Sequence, residues 1–237
     1  EELLWNKVDF PDKKVVTQVF LALSHCGYQA RQDQVQRIRQ AIEEDIISIV
    51  WNLKGIEQLL ETERDEFNEI IKSLREENDH SYGHIYMLLS MIYDQKSIQL
   101  VKENIETNTN EGITYAIELL DVFLSEDLKQ KIIPILDDTT DLDRIRRLQM
   151  FYPSLDISLD ELLRQIVNKD FNQINRWTKA SVIRYIGEHQ ISGKYDMELI
   201  SNLFNPDYLL KEISAWAMHE IDPAFYEENL VRLELEE

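Results

Sequence analysis

Scarce glycine, helical spacing of apolar residues and an internal repeat together predict an all-α fold, an α-solenoid of stacked antiparallel helix pairs. The chain of 237 residues has only 6 Gly and 5 Pro, where average usage would supply about 17 and 12. Sheet proteins need glycine at many of their turns. Apolar residues recur at steps of three and four along nearly the whole length, and short polar breaks interrupt them. With 43% apolar and 30% charged residues, the composition is that of a folded globular protein. We expect one helical-repeat domain over 1–237, with less regular helices over 1–75 and about five helix pairs over 76–237.

In chain order, the spacing predicts a short helix near 12–26 and a long one over 31–61. The long helix places Val35, Ile38, Ile42, Ile46, Ile49, Leu53, Ile56 and Leu60 at gaps of three and four, as in a coiled-coil seam. Ile47, Val50 and Trp51 widen that stripe, which favours a helix buried between neighbours over a dimer seam. Helix pairs follow at 78–107, 110–137, 141–168, 173–204 and 206–235.

The repeat supports these pairs. Aligning "ASVIRYIG" (180–187) with "AWAMHEID" (215–222) sets Ala180, Ile183 and Ile186 on Ala215, Met218 and Ile221. In "AIELLDVF", Ala116, Leu119 and Val122 take the same places, and Tyr86, Leu89 and Ile92 repeat the spacing earlier. The companion segments "LLRQIVNKDF" and "LISNLFNPDY" pair Leu162 with Leu199, Asn168 with Asn205, Asp170 with Asp207 and Phe171 with Tyr208. Two helices recurring at this period suit armadillo or HEAT-like units, somewhat shorter than the usual ~40 residues. A lone pair cannot cover its apolar stripe, whereas stacked pairs cover one another. Pro in "NPD" (205–207) and "DPA" (222–224) sits near helix starts. Ser125 with Asp127, and Ser158 with Glu161, read as helix N-termini.

A net charge of −20 repels phosphate backbones and anionic lipid. It disfavours nucleic acid and favours a basic or charge-neutral protein partner. Cys26 is the only cysteine, so neither an intramolecular disulfide nor a thiolate zinc site is expected. Residues 1–30 lack a signal-peptide pattern, and "IISIVWNL" (46–53) falls far short of the ~18 residues of a membrane helix. No direct membrane insertion of this chain is expected. The opening "EELLWNK" lacks Met, which predicts a longer parent or processing.

Chemistry-bearing residues are few. Glu76, His80 and His84, at i, i+4 and i+8 in "EENDHSYGHIY", share a helix face and could approach one ion. A zinc site wants a further ligand, and the metalloprotease helix carries Glu directly after its first His, where this chain has Ser81. The balance favours histidines paired with Glu76, Glu77 or Asp79 at a solvated helix end. The run "DDTTDLD" (137–143) puts leucines where a calcium loop needs its Gly and Glu, so it reads as a loop. His25, His189 and His219 stand apart from any nucleophile pattern, and Trp5, Trp51, Trp177 and Trp216 read as core. No phosphate loop or nucleotide fingerprint occurs, so no cofactor is implied.

The segments "YAIELLDVFLSEDLKQKIIPILDD", "RWTKASVIRYIG" and "LISNLFNPDYLLKEISAWAMHEIDP" resemble the HEAT-repeat region behind the membrane part of bacterial major-facilitator transporters related to ATP/ADP exchangers. "SLREENDHSYGHIYMLLSMIYD" is similar to the family's approach to its first clear repeat. The resemblance covers roughly residues 12–235 and implies a cytoplasmic HEAT-like scaffold, attached to a membrane transporter domain in a longer parent. No catalytic or binding motif carries over, and a cyclic-nucleotide pocket is not found.

The expectation for function is therefore a non-catalytic protein-binding scaffold, at the cytoplasmic face of an inner membrane if attached to a transporter. In such solenoids the second helix of each pair lines the concave side, which here nominates Glu103, Glu106, Gln130, Arg164, Gln165, Ser201 and Asn202 as partner-binding residues. The alternative is a helical-repeat enzyme or cofactor-binding protein using Glu76, His80 and His84.

Overall fold

A computed structural model of the protein describes residues 1–153 and 157–234. Among the described residues the chain is all-helical, with thirteen α-helices, one short 3-10 turn and no strand. They group into two compact units, one of Glu1–Glu57 and Asn78–Leu155, the other of Gln58–Glu77 and Asp156–Glu237. No helix among the described residues is long and apolar enough to cross a membrane.

The first unit contains α1 (Glu2–Trp5) and α2 (Lys13–His25), with most of α3 (Val35–Leu60) and the later part of α4 (Asn68–Ile92). After these come α5 (Gln95–Glu106), α6 (Asn110–Phe123), α7 (Glu126–Leu136) and α8 (Asp141–Leu148). α2 starts on Asp12, whose carboxylate accepts from the N–H groups of Lys14 and Val15. It stops at Gly27, whose φ of +68° lets Tyr28 N–H reach back to the Leu23 carbonyl. The α3 stripe from Ile38 to Ile56 is buried within the chain, as a helix packed among neighbours should be. Ile47, expected to widen that stripe, is exposed instead. α4 begins at Asn68, ten residues ahead of the expected 78, because Ile70, Ile71 and Leu74 continue its buried stripe while Lys72, Arg75 and Glu76 face solvent.

The second unit holds the end of α3, the 3-10 turn Asp65–Phe67 and the start of α4, then α9 (Leu159–Asn168), α10 (Arg176–Glu188), α11 (Asp196–Leu203), α12 (Tyr208–Ile221) and α13 (Pro223–Glu234). α9 packs on α10 and α11, α10 on α12, α11 on α12, and α12 on α13. Phe67 is fully buried with its ring 4.8 Å from Tyr185. At Gly187 the backbones of α10 and α12 come close, for a Cβ there would lie 2.7 Å from the Trp216 ring and 2.9 Å from the Ala217 Cα.

Equivalent positions of the two segments behave alike in the second unit. Leu162 and Leu199 are both buried, as are Ile183 and Met218, and Phe171 and Tyr208 are both exposed. Asp170 accepts from the N–H of Asn172, and Asp207 accepts from that of Leu209, each two residues ahead. The equivalence of α6 with α10 does not extend as far. Val122 is 83% exposed where Ile186 is fully buried, since the inward stripe of α6 runs Ile113, Ala116, Leu120.

Helix ends also differ in detail from expectation. Ser158 caps α9 through Glu161 N–H, but the Ser125 hydroxyl accepts from the Arg39 guanidinium and makes no bond to the backbone of α7. Pro223 is the first residue of α13, as expected, whereas Pro206 precedes the capping residue Asp207. Trp177 and Trp216 are exposed and Trp51 is half-buried, whereas the half-buried Trp5 packs against the hydrophobic core, as expected. The Trp177 ring instead lies under the Arg176 guanidinium at 5.4 Å.

Candidate functional site

The first unit carries a cleft of about 420 Å³ between α4, α5, α7 and α8. That volume lies within the range of small-molecule sites. Tyr82 and Tyr86, one turn apart on α4, line it together. Between them Gly83 leaves open space, with nothing within 4 Å of where a Cβ would stand. From α5 come Lys102, Ile105 and Glu106, with the Lys102 ammonium 3.6 Å from the Glu106 carboxylate. Ile135 and Leu136 of α7 add apolar wall. Arg144 of α8 donates from Nη1 to Asp141 at 2.9 Å and from Nη2 to the Asp137 carbonyl at 3.0 Å.

Two of the lining residues also hold a buried polar atom with no hydrogen-bond partner in the protein, the Tyr86 hydroxyl and the Arg144 Nε, neither of which has appreciable exposed surface. Tyr86 as a whole is 7% exposed. Burial pushes the Tyr82 phenol up to about 12, with Asp141 and Asp79 adding to the shift and Arg144 opposing it. Burial raises the Tyr86 phenol further, helped by Tyr82 and Glu106. Both therefore keep their protons at neutral pH and can donate. With Asp79 and Glu106 against Lys102 and Arg144, the lining is balanced in formal charge. The cleft can offer donors, a carboxylate acceptor and apolar wall to one occupant.

Of the residues nominated from sequence, only Glu106 lines this cleft. Glu103 is exposed and accepts from Gln99, and Gln130 is exposed and donates to Glu126. In the second unit Arg164 is half-buried, paired with Glu198 at 3.1 Å and donating to the Lys194 carbonyl, while Gln165 donates to Glu161. Ser201 is exposed. Asn202 departs from the expected exposed position. It is 5% exposed and donates to the Glu198 carbonyl, because α11 is held by both α9 and α12 and little of its circumference reaches solvent.

The Glu76, His80 and His84 set does not converge. Glu76 lies 4.0 Å from Lys72 at the surface, and His80 is exposed. His84 turns inward, with Nδ1 2.5 Å from a carboxylate oxygen of Asp45, whose other oxygen lies 3.5 Å from Lys13 Nζ. Its expected partners were Glu76, Glu77 or Asp79 on its own helix; the partner is on α3 instead, which covers position 84 and leaves position 80 in water. Among the described residues, no group of three His, Cys, Asp or Glu side chains is placed to hold a metal ion. The acidic run at 137–143 is met by its own arginines: Arg147 pairs with Asp137, Arg144 with Asp141 and Arg146 with Asp143.

A second polar cluster lies in the second unit. Glu77 accepts from Asn175 N–H and from the Thr178 hydroxyl, and the buried Lys179 donates to the Lys169 carbonyl. Burial lowers the Lys169 ammonium to about 7, against the pull of Glu77. Sequence reasoning missed Tyr82 and Arg144 as site residues. Its one available signal was the glycine between two tyrosines in "SYGHIY", a residue that weakens a helix unless space is wanted there.

No family model, no curated protein and no solved structure matches this chain.

Proposed function

We propose that the protein is a non-catalytic scaffold of HEAT-like stacked helix pairs that binds a protein partner. In this reading it is the cytoplasmic interaction region of a bacterial membrane transporter related to the major facilitators and ATP/ADP exchangers. The observation that carries the scaffold reading is the packing of α9/α10 on α11/α12. Like helices lie against like, with matching buried positions and the same aspartate bond at Asp170 and Asp207. The net charge of −20 supports a basic or neutral protein partner over nucleic acid or lipid. Exposed Trp177 and Tyr208, flanking the Arg176–Asp207 ion pair, supply the aromatic and arginine character common in interfaces. Of the histidines that sequence offered for chemistry, His84 is tied to Asp45 and His80 is exposed at the surface, away from it.

The test is fractionation of native cells probed with an antibody to this chain. A band much larger than 28.1 kDa in the membrane fraction is expected. A band near 28.1 kDa confined to the cytosol overturns the transporter reading. Crosslinking in the same cells then tests the scaffold itself, which predicts an adduct with a second protein that Trp177→Ala together with Tyr208→Ala weakens.

A further inference from the structure

Where α10 and α12 begin, the surface of the second unit holds a cation of its own. The Arg176 guanidinium lies 5.4 Å over the Trp177 ring, and its Nη1 is 3.5 Å from the Asp207 carboxylate. Ring and carboxylate together suit a guanidinium, one through its face and the other through its charge. The same two kinds of group recur along α12. Tyr208, Glu212, Trp216 and Glu220 follow at steps of four on one side of the helix, and all are exposed, Tyr208 to 72%. Glu212 thus stands between two aromatic rings. Trp216 is seated against Gly187 of α10 and is still 37% exposed, so one of those rings is held in place. Glu212 accepts from the Tyr208 hydroxyl, a bond that raises the Tyr208 phenol. Neither Glu212 nor Glu220 enters an ion pair among the described residues. Lys211, next to Glu212 in sequence, projects from another side of the helix.

A carboxylate between two rings selects a cation, because ring faces carry negative potential as well. An anionic occupant would be repelled by Glu212 and Glu220, and a second copy of this chain would bring a further net charge of −20. A neutral apolar segment could use the rings but would cover a carboxylate without pairing it. We propose that this face of α12 is the docking site for a basic segment of the partner protein, with a guanidinium seated on Glu212 between the Tyr208 and Trp216 rings. That the occupant is a protein rests on the scaffold reading; that it is basic rests on α12 itself.

The test is fluorescence anisotropy of a rhodamine-labelled peptide of four Arg-Leu-Ala repeats, titrated with the whole chain at physiological salt. The control peptide carries citrulline, the uncharged isostere, in place of arginine. Saturable binding of the arginine peptide is expected, with the citrulline peptide weaker by roughly tenfold or more. Glu212→Gln and Tyr208→Ala each weaken binding about threefold to fivefold, the range for one exposed ion pair or cation–π contact. Both side chains are exposed, so the melting temperature stays where it was. Glu118→Gln removes the same charge from the exposed side of α6 and leaves the affinity unchanged. The proposal is overturned if the arginine peptide does not bind saturably or if the citrulline peptide binds as tightly. It is also overturned if Glu212→Gln weakens binding no more than Glu118→Gln does, since net charge alone would then be responsible. A crosslinked adduct in cells without peptide binding strikes the basic segment and spares the scaffold. Peptide binding that depends on Glu212, with no adduct in cells, supports the cation seat and strikes the scaffold.

Discussion

Two glycines, each inside a helix, compare a crowded place in the second unit with an open one in the first. Gly187 of α10 is where α12 comes closest, with Trp216 and the Ala217 backbone within 3 Å of the missing Cβ. Gly83 of α4 meets nothing within 4 Å and borders the cleft. One glycine permits contact and the other leaves room. Buried polar groups with a protein partner and without one occur in each unit. In the second unit Glu77 is bonded by Asn175 and Thr178, and Lys179 by the Lys169 carbonyl. The Tyr86 hydroxyl and Arg144 Nε of the first unit, and the Ser214 hydroxyl of the second, are buried without a protein partner. The approach at Gly187 and the open space at Gly83 are the local measure of that difference.

Gly187→Ala should therefore have the largest effect. The added methyl must displace a Trp ring and, less easily, the Ala217 backbone, so the helices have to part. Overpacking of this kind costs about 2–3 kcal/mol, read as a lower urea midpoint with faster hydrogen exchange in α10 and α12. A midpoint within error of the parent protein would mean that the two helices do not meet as closely as Gly187 indicates.

The buried Asn52–Asn78 pair of the first unit comes next. Asn52 donates to Asn78 at 2.9 Å, and both are nearly solvent-free. Asn78→Ala strands the Asn52 amide and should cost about 2 kcal/mol. Replacing both by leucine should recover most of that loss, since no polar group is then left unpaired. A double variant no better than the single one would show that the pair does more than satisfy itself.

Lys169 gives a pH-dependent comparison within the second unit. Its folded pKa, about 7, lies below the ordinary lysine value of 10.5. Below pH 7 the ammonium is charged in both states and the folded protein carries the full burial penalty. Between about 7 and 10.5 the folded state has lost the proton that the unfolded state keeps, so stability rises with pH through that window. Lys169→Met should be the more stable protein at pH 6 by about 1–2 kcal/mol, a figure reduced for partial exposure of the side chain. The advantage should shrink toward pH 10. A constant difference across that range would assign the effect to packing instead of charge.

Much of this architecture is visible in the sequence because it rests on local chemistry. The helix pairs from residue 95 onward lie close to where apolar spacing and polar breaks put them. Asp12, Ser158 and Pro223 mark helix starts through bonds or geometry confined to a few residues. Some helix ends were hidden because the chain uses Glu63, Asn108 and Gln190 at positive φ where glycine would have been the signal. The start of α4 was obscured by the charged residues on its outer face. The site was scarcely legible at all. Tyr86 and Arg144 lie 58 positions apart (86 to 144) and share a cleft only through the packing of α4, α5, α7 and α8. The same holds for Asp45 and His84, whose pairing no local spacing announces.

The smallest effect is also the one that most directly tests the opening contrast. Gly83→Ala adds a methyl group in open space, so it neither clashes nor gains much burial. What remains is the helix preference of alanine over glycine, about 0.5–1 kcal/mol in favour of the variant. For a protein of this size that corresponds to a melting temperature higher by roughly 1–4 °C. The same substitution thus acts with opposite sign at 83 and at 187, although both residues are helical glycines. A loss of stability at 83 would mean that another side chain occupies the space beside it. The cleft would then be a closed wall at Gly83.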